Sequence, residues 1–144
     1  MDYLKLIKNY FSFLETDFSY TLEKEVNEKL YKAIFFINSK INRSISIVYD
    51  IRNSLIDISI WQLKNNEQDI EDRSSYIYLS NLLEINKDKT LLPKLPYNTY
   101  LTDKEIESIF GTYTELLKKY AIKILKGEHW EVVPWIDSFN KEYM

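Results

Sequence analysis

From Tyr3 to Leu14 the apolar positions Leu4, Ile7, Phe11 and Leu14 recur every three or four residues, with Tyr3 and Tyr10 widening the stripe. That period predicts an amphipathic helix over residues 2–15. The period then changes to two. In "FSYTLEKEV" Phe18, Tyr20, Leu22 and Val26 alternate with polar residues, though Lys24 interrupts the row, which predicts an edge or half-exposed strand. "LYKAIFFIN" is apolar on both sides, as expected of a central strand. "RSISIVYD" directs Ile45, Ile47 and Tyr49 one way, and "LIDISIWQL" directs Ile56, Ile58 and Ile60 one way and Asp57, Ser59 and Trp61 the other. Turns at "NEK", "SKIN" and "IRNS" join these runs. Short connections between β-branched, aromatic runs predict a four-stranded antiparallel meander.

Residues 64–75, "KNNEQDIEDRSS", are a polar break, followed by a predicted short helix over 75–85 using Ile77, Leu82 and Leu83. Two prolines, Pro93 and Pro96, mark 86–101 as a loop, because each removes a donor and fixes φ. Thr102 and Glu105 have the spacing of a capping box. Ile106, Ile109, Phe110, Tyr113, Leu116, Leu117, Tyr120 and Ile124 then hold a helical period. Lysines crowd the last turns, where the helix dipole favours cations, and Gly127 stands where a left-handed terminating residue belongs. Pro134 can open a last short helix. The expected architecture is α+β: an N-terminal helix, a four-stranded antiparallel meander, then two or three helices packed on one sheet face, all in a single domain over residues 1–144.

Composition narrows the function. The 144-residue chain is 45% hydrophobic, which suffices for a core, and has no cysteine, which removes thiol nucleophiles and thiolate metal sites. A net charge of −3 without clustered Lys and Arg argues against nucleic acid as partner. No apolar run reaches the length of a membrane span and the N-terminus lacks a secretory pattern, so a cytoplasmic protein without membrane contact is expected. His129, the only histidine, lies just beyond Gly127 and reads as a surface or cap residue, since a zinc site would need carboxylates for every other ligand. No nucleophile-elbow, phosphate-loop or calcium-loop spacing occurs. The chain is expected to be no enzyme and to use no cofactor or metal.

The candidate contacts are therefore partner-binding residues. Glu67, Asp69, Glu71 and Asp72 form an acidic stretch suited to steering a basic partner. Asp50 and Arg52 sit in a predicted hairpin turn, where an exposed arginine serves either an interface or an ion pair with Asp50. Trp130 and Trp135 head an aromatic cluster with Phe139 and Tyr143 that either packs the last helix on the sheet or anchors a partner.

Three stretches, "YFSFLETDFSY", "VYDIRNSLIDISIWQL" and "LLKKYAIKILKGEHW", resemble a diffuse group of small bacterial α+β proteins. Several of these look like immunity proteins encoded beside polymorphic toxins; others have no known function. The resemblance implies a cytoplasmic protein that neutralises a toxin domain, here a basic one, by occluding it. It brings no site residue with it. The competing expectation is a non-catalytic structural or regulatory subunit, monomeric or homodimeric.

Overall fold

The computed structural model describes residues 1–90, 101–128 and 130. Two short helices open the chain, α1 (Tyr3–Tyr10) and α2 (Phe13–Phe18). The Asp2 carboxylate caps α1 by accepting from the Lys5 N–H at 3.1 Å, and α1 buries Leu4 and Ile7. The expected single helix is thus broken at Phe11–Ser12. Ser19, in the left-handed region at φ 61°, ends α2 and turns the chain into the sheet.

Five antiparallel strands follow in sequence order: β1 (Thr21–Glu28), β2 (Tyr31–Asn38), β3 (Arg43–Asp50), β4 (Leu55–Gln62) and β5 (Tyr76–Tyr78). The meander has one strand more than the sequence pattern predicted. Tyr76-Ile77-Tyr78, expected to be helical, pairs with Ser59–Trp61 instead. The helix begins only at Leu79, where the Asn81 side chain accepts from the Tyr78 N–H at 3.0 Å. Alternation of aromatic and β-branched residues over three positions favours the pleat, and three residues are too few for period alone to reveal.

Lys24 interrupts the β1 pattern because the register shifts between Leu22 and Lys24. The bulge puts Val26 on the opposite sheet face from Leu22, where strict alternation had placed them together. Lys24 comes to lie over the Phe35 ring at 5.9 Å, and Glu25, on the other face, pairs with Lys8 of α1.

The helices α3 (Leu79–Ile85), α4 (Asp103–Tyr120) and α5 (Ile122–Leu125) complete the described fold. The capping box forms: Thr102 Oγ1 accepts from the Glu105 N–H at 3.2 Å, and Glu105 accepts from the Thr102 N–H at 3.1 Å. The helix expected to run through Ile124 breaks at Ala121, and α5 carries Ile124 and Leu125 into the core. Gly127 ends it at φ 89°; a Cβ there would meet Ile41 Cβ at 3.0 Å, so both conformation and space call for glycine.

One core joins these pieces. Ile34, Phe36, Ile45, Ile47, Ile58, Ile60 and Ile77 form the inner sheet face, sealed by Phe11, Leu14, Phe110 and Leu117. Phe11 and Phe110 meet edge to face at 6.1 Å. Tyr20 donates its hydroxyl to the Leu125 carbonyl at 2.9 Å, and burial pushes that hydroxyl's pKa well up. This architecture matches the expected α+β class and places the described helices on one side of the sheet.

Candidate interaction face

Because side chains alternate along a strand, the residues between the core positions build a second, outer face. Its floor is Ala33, Ser44, Ser46 and Ser59, all buried though small. Trp61 lies buried among them, donates its indole N–H to Ser59 Oγ at 2.9 Å, and stacks on Tyr76 with ring centroids 4.5 Å apart. Phe35, Val48, Tyr76 and Tyr78 are half-buried, and Leu55 is 48% exposed. No described helix covers this face.

At one end the 64–72 loop folds back over the floor. Gln68 Nε2 donates to Ser44 Oγ at 3.1 Å and Ser46 Oγ at 2.9 Å. Lys64 pairs with Asp72 and, at 3.6 Å, with Asp69. The Lys64 ammonium beside it holds the Asp72 carboxyl below the usual carboxylate range. Asp72 also accepts from the Ser74 N–H at 3.0 Å, and Asp69 accepts from the Glu71 N–H at 3.2 Å. Of the four acidic residues singled out in the sequence, Asp69 and Asp72 therefore build the loop, while Glu67 and Glu71 stand exposed beside Ile70, itself 71% exposed. One lysine against four carboxylates gives residues 64–72 a balance of −3. The whole chain carries −3, so the remainder is neutral. The excess negative charge is concentrated on this loop.

At the opposite end lie the hairpin tips. Asp50 is occupied by Asn53, accepting from its N–H at 3.1 Å and from Nδ2 at 2.7 Å. Arg52 is exposed and makes no ion pair with Asp50. Arg52 and Lys29 stand at an open cleft of about 470 Å³ together with Glu28 and Asp50, so its two cations face two carboxylates. The two sequence-predicted patches thus bound the two ends of one face. Nothing in their sequence spacing joins them; the pairing of β3 with β4 does.

Trp130 packs near the acidic end. Its indole N–H donates to the Ser74 carbonyl at 3.0 Å, and its ring covers the Arg43 guanidinium at 4.5 Å. It ties the chain after α5 to Ser74 and to Arg43 of β3. Trp135 and His129 lie outside the described residues.

Two charged groups escaped the sequence reading. Arg43, 4% exposed, donates to the Gly127 carbonyl at 3.2 Å, and its Nε has no partner among the described residues. Asp57 sits in the outer row of β4, opposite Val48, and burial pushes its pKa up to about 6 against the help of the Ile58 N–H. The signal for Asp57 was a lone charge within an otherwise alternating strand. Beyond β5, residues 55–58 of β4 pair with β3 but have no described strand on their other side, and Tyr113 donates its hydroxyl to the Ile56 carbonyl there at 3.4 Å. Asp57 and Tyr113 together blunt that half-edge.

Among the described residues no group of three His, Cys, Asp or Glu side chains converges as a metal site, and no helix is long and apolar enough to cross a membrane. No family model, curated protein or solved structure matches this chain.

Proposed function

We propose that this chain is a cytoplasmic, non-catalytic protein-binding protein of the immunity type, which occludes a basic toxin domain with the outer face of its sheet. The observation that carries this reading is the asymmetry of that sheet: one face is sealed by helices, the other is left with half-buried aromatic rings and flanked by the chain's excess negative charge. Aromatic rings over a small-residue floor give contact area at low entropic cost, and the acidic loop accelerates encounter with a basic surface. Self-pairing through β1 fits less well, since that edge is rich in glutamate and carries the bulge at Glu23.

The test is affinity capture of the N-terminally tagged protein from its native host at low salt, followed by mass spectrometry. A near-stoichiometric basic protein with a toxin-like domain is expected, and E67K/E71K should reduce its recovery. Recovery of the bait alone, with neighbouring genes expressed, overturns the reading. A bait that sediments as a homodimer supports the subunit alternative.

A further inference from the structure

We propose that the helix side of the molecule carries a binding site for a small aliphatic carboxylate, in the cleft where α3, α4 and α5 meet. The apolar chain of the ligand lies against Ile85 and Ile122, and its carboxylate meets Lys119 and Lys123. The helices that form this cleft cover the inner face of the sheet, so the inference stands apart from the docking proposed for the outer one.

Three observations carry it. First, the space is concave and mostly apolar. The cleft, about 390 Å³, is lined by the buried Leu82 and Ile124 and the half-buried Ile85 and Tyr120. That volume falls among small-ligand sites, which recur between packed helices. A partner helix would need anchors spread over two turns, whereas α3 has seven residues and α5 four. Polar backbone at the end of α3 is already used. The Leu82 carbonyl accepts from the Asn86 N–H at 3.1 Å and Nδ2 at 2.8 Å, and the Leu83 carbonyl accepts from the Asp88 N–H at 2.9 Å. Second, an aliphatic side chain is left open there. The helix breaks at Ala121, and Ile122, the next residue, lines the cleft while 39% exposed. On a concave surface such a side chain is covered by what enters the concavity. Third, the lining charge has one sign. Lys119 and Lys123 line the cleft, and no carboxylate among the described residues does. Asp88 lies 3.7 Å from Lys119 but is itself engaged by the Tyr120 hydroxyl and by the Thr90 N–H at 2.8 Å. Lys123 makes no ion pair among the described residues. Two lysines against one carboxylate leave +1, which matches a monoanion better than a doubly charged phosphate. A lysine ammonium is a mobile point charge and suits a carboxylate without fixing its orientation.

The test is titration of the ¹⁵N-labelled full chain with hexanoate and octanoate, each below its micelle-forming concentration. The amides of Ile85, Asn86, Tyr120 and Ile122 should shift, while those of β1, β2 and β3 stay in place. Each buried methylene is worth up to about fourfold in affinity, so octanoate should bind about tenfold more tightly than hexanoate. Lys123→Gln should weaken octanoate about threefold and leave 1-octanol unchanged, because only the carboxylate uses the cation. Ile122→Ser should weaken both ligands about fivefold. Both substituted side chains are exposed, so the fold tolerates the changes. No shift at the cleft, shifts scattered over the whole surface, or an equal response of octanol and octanoate to Lys123→Gln overturns the proposal. The acidic peptide Glu-Leu-Leu-Glu shifting these amides where octanoate does not overturns it in favour of a protein ligand. A homodimer in sedimentation that Ile122→Ser dissociates overturns it in favour of a second copy of this chain.

Discussion

On the inner side of the sheet Ile34, Ile45, Ile47 and Ile77 are fully buried, and each meets a helix or another strand residue in one continuous core. One residue along each strand, the outer side shows small buried residues between half-buried rings, a loop at one end and an exposed leucine at the other. The same pleat supplies both. The inner positions are uniformly branched and apolar, so they can be sealed only by other apolar surface. The outer positions mix serine, aspartate and aromatics, a composition that tolerates water and still offers area to another protein. The difference separates a face that can be held only by apolar packing from one whose side chains also accept polar neighbours.

The sharpest way to break that comparison is to truncate neighbours on β3. Ile47→Ala should cost about 3–4 kcal/mol, because it removes methyl groups from a filled core and leaves a cavity. That corresponds to a fall of roughly 10 °C in Tm at this chain length. Val48→Ala, on the half-buried outer row, should cost less than about 1 kcal/mol. Urea titrations of the two variants decide it. Similar costs would mean that the outer face is sealed as firmly as the inner one.

The next largest effect concerns the strap after α5. Trp130→Ala should lose about 2 kcal/mol, since it removes both a ring over the Arg43 guanidinium and a hydrogen bond to Ser74. Arg43→Met should change stability by less than about 1 kcal/mol, because the guanidinium is buried without a carboxylate partner among the described residues and its Nε is unsatisfied. Thermal melts of both would separate the two contributions. A costly Arg43→Met would show that the cation, not the packing, holds the strap.

How far the molecule was legible in its residues follows from the length of each signal. β2, β3 and β4 run eight residues each with sustained alternation or continuous apolar character, and α4 carries both a capping box and a long helical period. Those elements were readable. β5 has three residues, the break at Phe11–Ser12 falls inside an unbroken apolar stripe, and the bulge at Glu23 left only Lys24 out of place as a sign. The polar residues of the candidate face were readable as types but not as partners. Glu67 and Asp69 look alike in the chain; the position of Lys64 and the backbone around Asp72 decide which carboxylate is internal. The opposition of the Arg52 tip and the Ile70 loop is a property of strand pairing, invisible until the register is known.

A pH titration tests the outer face as an electrostatic environment. The raised pKa of Asp57, from an ordinary 3.8 to about 6, means that the folded chain holds this proton more tightly than the unfolded one. Its contribution to stability is fully present below about pH 4 and is lost as the pH rises through about 6. After allowing for solvent screening on a partly open face, the loss amounts to about 1–2 kcal/mol. Asp72, Asp88 and Glu105, all with lowered pKa values from hydrogen-bonded partners, act oppositely and lose stabilisation as the pH falls. The two trends are separated by subtraction: wild type minus Asp57→Asn in urea titrations at about pH 4 and pH 7.5. The wild type should lose stability relative to the variant between those values. A constant difference would mean that water reaches Asp57 freely.

The smallest expected effect bears on whether the acidic loop belongs to the outer face or merely lies near it. Gln68→Ala removes the two bonds to Ser44 and Ser46, the described hydrogen bonds from this loop to the outer rows of the sheet. Because the glutamine is exposed and water can replace it, the global cost should be about 0.5–1 kcal/mol. The local effect should be larger than that figure implies. Lys64 still gathers Asp69 and Asp72, so the loop keeps its internal shape but loses its position over the strands. Amide exchange of residues 65–71 should quicken while that of β3 and β4 stays unchanged. If the loop amides exchange as before, the knot at Lys64 alone sets where Glu67, Ile70 and Glu71 stand, and the charge polarity of the face is fixed by the loop's own turns rather than by its seat on the sheet.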